Sequence, residues 1–330
     1  MATEQNTQGC PGESLCRETT TGAPRLGRFL RGFLVAGVAT ASLYYIWNTF
    51  EWSNIMIVLR QADVFLFSVG SILTILFYWL LRALRWQLLL RTVRAADASF
   101  LAVYLCTACS LAFSIVTPVQ SGEALKVEML KKISRVERVE GYGCFAVERM
   151  LDLLCVLQLA FLGVVLGLGR EMGLSALVIG TCAVLLCVVF VVAAYASTRF
   201  GPWRARFALM LGAFTARPSR LFTAWVLSSI AWCVVVLGWG ICLGSVGIRL
   251  SIQELGLLTS GVTLINILSL IPGAVGISEV STCIALKHFG VPEVQAQAGA
   301  LILRAYGLII LVLGFAHLLV SVRRLRPASE

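Results

Sequence analysis

Charge is scarce in this sequence. Only 13% of its 330 residues are Asp, Glu, Lys or Arg, about half the share usual in a soluble domain. The runs from Met172 to Thr198 and from Leu221 to Ile248 contain no charged residue. Each exceeds the roughly 20 apolar residues that cross a bilayer, and so many such runs exclude a water-soluble globular fold. Histidine is nearly absent, with His288 and His317 alone, which argues against a zinc site. A Ser-His-Asp order and a phosphate-cradling Gly-Lys-Ser loop are missing too, as is a basic soluble module for nucleic acid. No metal or cofactor is expected, and a membrane-embedded transferase using carboxylates or arginines stays open as a chemistry.

What remains is 58% hydrophobic with mean hydropathy +0.88. The net charge of +10 reads as topological, since Lys and Arg gather on cytoplasmic loops; a basic face for anionic lipid is a secondary effect. The cysteines fall mostly inside apolar runs and read as small hydrophobes. Cys106 and Cys109 form a C-x-x-C in an apolar stretch with no second ligand pair. Residues 1–24 are polar and are expected to be a disordered cytoplasmic tail; residues 25–326 make one membrane domain, and 327–330 a short tail. Ala39-Thr40-Ala41 resembles a signal cleavage site, but the apolar run continues through Tyr44, Tyr45 and Trp47, as a first span with an aromatic belt would.

Basic residues order the spans. Arg25, Arg28 and Arg31 place the N-terminus in the cytoplasm, and the loop with Glu51, Arg60 and Asp63 lies outside. A second span from Val64 to about Leu84 ends at Arg82, Arg85, Arg91 and Arg94, whose expected role is to set orientation. An apolar run from Phe100 is broken at Pro118 and Gly122 and returns to a basic flank. A third span covers Cys144 to Leu168 and a fourth Leu174 to Ala196. A fifth covers Leu221 to Val246. The run from Leu255 is broken at Pro272, Gly273 and Gly276, and the last span, Ala298 to Val322, ends at Arg323, Arg324 and Arg326. These flanks make the two broken units open on opposite faces. The expected fold is an all-α integral membrane protein: about six full transmembrane helices plus two re-entrant broken hairpins, in an inverted-topology repeat with halves 64–170 and 221–322.

The breaks themselves correspond. TPVQSGEALK carries Pro118, Gly122 and Glu123; IPGAVGISEV carries Pro272, Gly276 and Glu279. Arg149 follows the first glycine by 27 residues and Arg304 the second by 28. At 1.5 Å per residue, Arg149 lies about 30 Å from Arg170 and Arg304 about 28 Å from Arg323, so each sits near one face, at the mouth of its own hairpin.

Ionisable groups inside spans are costly and mark function. Glu148, Arg149 and Asp152 form ERMLD, with Glu148 and Asp152 on one helix face. They make either a self-neutralised helix end or the polar wall of a headgroup cavity. Glu123 and Glu279 either cap the following half-helix or form a proton or cation site. Helix N-termini at the breaks can also hold a lipid phosphate; Arg304 is either a phosphate or carboxylate partner or a snorkelling interface residue.

The segments LLRALRWQLLL, TPVQSGEALKVEMLKK, AVERMLDLLCVL and LSLIPGAVGISEVSTCIALKHFGVPEVQAQAGALILRAYGLI resemble the flippase-like transmembrane domain of the lysylphosphatidylglycerol synthase family. The order and spacing extend over most of residues 30–322, and the Pro-Gly-Glu motif near Pro272 with Arg304 behind it is the most specific piece. Bifunctional members join a lipid-flipping membrane domain to a cytosolic aminoacyl transferase. With the sequence ending at Glu330, the resemblance implies the membrane half and lipid translocation, not lysyl transfer. In one departure, the basic residue that the family carries shortly after the first glycine comes here at Lys126, after Glu123. The resemblance implies an anionic phospholipid or a polyprenyl- or isoprenoid-linked lipid as cargo. Arg149, Arg304 and Lys126 are the phosphate candidates and Glu123, Glu148, Asp152 and Glu279 the cavity acids. The alternatives are a membrane-embedded enzyme or accessory subunit of lipid or glycolipid biosynthesis, and a structural partner without transport. Expected partners are membrane lipids, with a second copy of the chain or biosynthetic enzymes as protein candidates. The expected location is a bacterial-type cytoplasmic membrane, both termini cytoplasmic.

Overall fold

A computed structural model describes residues 37–38, 40–93, 98–134, 136–167, 212, 216–269 and 271–324. Every regular element among them is helical. The tail, Arg25, Arg28, Arg31, Arg94, the fourth expected span and Arg326 lie outside the described residues. We number the helices in chain order: α1 (40–49), α2 (Trp52–Arg60), α3 (Val64–Thr92), α4 (Phe100–Val116), α5 (Leu125–Ser134), α6 (Arg138–Gly167), α7 (Pro218–Ser245), α8 (Ile252–Leu268), α9 (Ile277–His288) and α10 (Glu293–Arg324).

Three of these, α3, α7 and α10, are long and apolar enough to cross a membrane. Their surfaces are reversed relative to a soluble protein. On α10, Leu308, Val312, Phe315 and Leu319 recur at helical spacing and are all exposed, an apolar stripe suited to lipid. On α3, Val64, Phe65 and Leu73 are exposed, while Ser71, Thr74, Arg82 and Arg85 face inward. Asp63 caps α3 by accepting from the Leu66 amide at 2.8 Å, which satisfies one of the free N–H groups of the first turn.

The expected elements differ from the structure at some edges. The loop expected outside contains the short helix α2, whose Ile55 is fully buried beside Ile46, Phe50 and Ala298; Ile55, Val58 and Leu59 repeat at helical spacing onto α10. The second span runs on to Thr92 rather than Leu84, because Arg82 and Arg85 turn into the protein and leave the helix intact. The helix over the expected third span, α6, begins at Arg138.

α4 sits at the centre, buried along most of its length. It ends where Pro118 begins: the residue before a proline is pushed to extended backbone, and Thr117 has φ −103° and ψ 144°. A 3-10 turn from Pro118 to Ala124 leads into α5, and the Thr117 hydroxyl accepts from the Gly122 amide at 2.7 Å. A Cβ on Gly122 would meet the Phe113 carbonyl at 2.7 Å, so the turn folds directly onto the end of α4. α8 is broken the same way. Ile271 is extended before Pro272, and a short 3-10 turn leads through Gly273 at φ 65° and Gly276 at φ 85° into α9. Gly273 backs onto the Ile115 carbonyl, where a Cβ would lie 2.8 Å away. The two breaks therefore touch each other, and positive φ with no room for a side chain explains glycine at Gly273.

Small residues let α10 pack on α4. A side chain on Gly314 would collide with Ala112. Gly314→Leu is expected to destabilise the purified protein by about 1–3 kcal/mol through overpacking, seen as a lower midpoint in detergent thermal unfolding. Gly244→Ala, where a Cβ meets nothing within 4 Å, should leave that midpoint unchanged or raise it.

Candidate functional site

Seven charged side chains converge where α3, the first break, α5 and α6 meet. Arg82 and Arg85 lie three apart on α3, so they share a face. Arg82 donates to Asp152 and, at 2.6 Å, to Glu123. Arg85 donates to Asp152, to Glu148 and to the Ser228 hydroxyl of α7, each at 2.6 Å. Lys126 pairs with Glu148, and its ammonium lies 4.4 Å from the centre of the Trp86 ring. Arg149 bridges Glu123 and Asp152. All but Arg149 are buried.

Burying one charge costs several kcal/mol, and only close pairing with further hydrogen bonds offsets that. Here each acid has at least two cationic partners. Glu123 meets Arg82 and Arg149; Glu148 meets Arg85 and Lys126; Asp152 meets Arg82, Arg85 and Arg149. Outside the spans, Glu128 accepts from Arg138 and Tyr142, and the Arg138 bonds hold its carboxyl below the usual range. That pair is exposed and contributes little.

A second, smaller site forms at the other break. Glu279 accepts from the Gly276 amide at 2.7 Å and so caps α9. Its other oxygen lies 3.2 Å from Arg304 Nε. Arg304 also donates to the Gly273 carbonyl at 2.8 Å, which leaves it anchored to the broken backbone.

Both sites open into one cavity of about 250 Å³. It is lined by Arg82, Glu123, Arg149 and Asp152 on one side and by Gly273, Glu279 and Arg304 on the other, with Trp232, Asn266 and Tyr78 among the remaining walls. Arg149 and Arg304 are the two lining cations with exposed surface, each 30% accessible. The volume lies near the lower end of small-molecule sites.

The structure thus brings together most of the residues singled out from sequence. Arg149, Arg304, Glu123, Asp152, Glu279 and Gly273 line the cavity. Lys126 and Glu148 do not: both are fully buried behind it and bonded to each other. Glu123 forms ion pairs and caps no helix, whereas Glu279 does cap. Arg82 and Arg85, read as orientation signals, are instead wholly buried in the network. Their spacing and the Trp86 beside them were the available signal, but a basic helix end next to Arg91 reads as a cytoplasmic flank unless a facing acid is known.

Comparison with known protein families gives a match over most of the chain. The family model described as the lysylphosphatidylglycerol synthase TM region matches residues 32–314 of this chain. No curated protein and no solved structure matches it.

The network's charge balance predicts an asymmetry. Glu148→Gln removes an anion from a group already richer in cations and should destabilise by about 3–5 kcal/mol, as a buried pair broken on one side does. Lys126→Met brings cations and anions level and should cost less. Thermal unfolding of the two purified variants checks the order.

Proposed function

The chain belongs to the lysylphosphatidylglycerol synthase transmembrane family and is a membrane protein of lipid metabolism or transport; on that premise we propose that it is a flippase-like protein that moves a lipid headgroup between leaflets. The observation that carries the reading is the shared cavity, which is touched by both broken units and holds one accessible arginine from each side. A phosphate crossing a bilayer must exchange its water for something polar, at a cost of many kcal/mol if nothing replaces it. Guanidinium groups supply planar paired donors for phosphate oxygens. The acyl tails stay outside, against faces such as the α10 stripe.

The inverted repeat is part of this proposal, and the backbone supports it. Two residues after each break proline stands a non-glycine residue at positive φ: Gln120 at 52° after Pro118, Ala274 at 47° after Pro272. Four residues after each proline stands a glycine, Gly122 or Gly276. Each later arginine pairs with the acid of its own break, Arg149 with Glu123 and Arg304 with Glu279. Such conformations are strained for non-glycine residues and collect at functional sites. With about six spans, both termini cytoplasmic and the breaks on opposite faces, the cavity is reached from either leaflet in turn, as in transporters with opposed repeats.

Reconstitution into vesicles with a headgroup-side fluorescent phospholipid tests this. Wild-type protein should accelerate bleaching of inner-leaflet label by a membrane-impermeant reductant. Arg149→Gln and Arg304→Gln should each lower the rate at least tenfold, the loss expected for one charged hydrogen-bond pair. Wild-type vesicles that bleach no faster than protein-free ones, across phospholipid and polyprenyl probes, would overturn the proposal.

A further inference from the structure

Lys126 is a cation that its neighbours can do without. Its ammonium is wholly buried, pairs with Glu148, lies 4.0 Å from Glu123 Oε2 and rests over the rings of Trp86 and Phe145. Each acid near it keeps a guanidinium of its own. Glu148 has Arg85, Glu123 has Arg82 and Arg149, and Asp152 has Arg82, Arg85 and Arg149. The network therefore holds four cations (Arg82, Arg85, Lys126 and Arg149) against three acids, with Lys126 as the surplus.

It is also the cation that can cycle. A guanidinium keeps its proton at any physiological pH, whereas a lysine amine passes between charged and neutral forms. The elements packed on α5 bring few other titratable groups. α3 supplies Arg82 and Arg85, the turn Glu123, and α6 Glu148, Arg149 and the buried Cys144 thiol. α4 supplies no charge, only Tyr104 and Cys106 in the apolar cluster that holds Val127. On α5 itself, Glu128 turns outward to Arg138, and Lys131 and Lys132 are exposed. Glu123 joins Lys126 to the cavity: among the described residues it is the acid that both approaches the ammonium and lines the wall.

Resting on the flippase-like reading, we propose that Lys126 is a proton-carrying site that couples headgroup movement to a proton gradient. Without a bound anion, the network is level when Lys126 is neutral. An anion held by Arg149, which shares Glu123 with Lys126, adds one negative charge, and the network is then level when Lys126 is protonated. Anion and proton favour each other's binding, as linked sites must. The amine lone pair takes a proton from water on the acidic side as the headgroup enters. That proton returns to water by way of Glu123 as the headgroup leaves, so the two cross together.

The bleaching assay tests this when the lumen is buffered separately from the outside. The probe is phosphatidylethanolamine with the fluorophore on its amine, a singly anionic lipid. With the outside held alkaline, an acidic lumen should speed loss of inner-leaflet label roughly fivefold over an alkaline one, the low end of coupling between sites. A potassium–proton exchanger that collapses the gradient should remove the gain. Lys126→Arg, which fixes the charged state, and Lys126→Met, which fixes the neutral one, should both lose it, with thermal unfolding reporting that each is folded. Wild-type bleaching that beats protein-free vesicles but ignores the gradient would overturn the proton role and leave the flippase-like reading standing, as would a folded Lys126 variant that keeps the gain. No acceleration at either lumenal pH, with this probe and with polyprenyl probes, would overturn both.

Discussion

The pairing of Arg82 and Arg85 with Asp152, Glu148 and Glu123 is the interaction on which the rest of the structure depends. It ties α3 to α6 and to the turn after α4, and through Ser228 it reaches α7. None of these charges is tolerable alone in a membrane interior. Their mutual satisfaction therefore fixes the spacing and rotation of four segments at once. Packing follows: α3 can lie along α7 because the polar side of each is turned inward and the apolar side is left for lipid.

The helix breaks follow from the same constraint. A broken backbone at membrane depth survives only where protein or a wet cavity covers its free groups. Here Thr117 takes the Gly122 amide, Glu279 takes the Gly276 amide and Arg304 takes the Gly273 carbonyl. The acid and arginine at the second break are thus structural and chemical together: they close the backbone and present a cation to the cavity. At the first break the acid serves the ion network instead, so the two breaks correspond in backbone register but not in the use of their glutamates.

Much of this was legible in sequence. The prolines and glycines at the breaks, the acids after them and the arginines on the following helices stand out because each is costly in an apolar run. Lys126 and Glu148 were legible as charges but not as a pair sealed behind the cavity, because the sequence gives no depth for a side chain on a short helix after a turn. Arg82 and Arg85 were misread for a related reason. A buried arginine and a flanking arginine look alike in one strand of text, and what separates them is an acid about 40 to 70 positions away that only folding brings near.

The sequence by itself determined the membrane class, the helical architecture and the place of each break, because apolar run length, proline and glycine act locally. The tertiary structure alone decided which charges neutralise one another and which two arginines remain accessible. Those outcomes depend on distances between helices remote in the chain, and at membrane depth the cost of an unpaired charge makes those distances decisive.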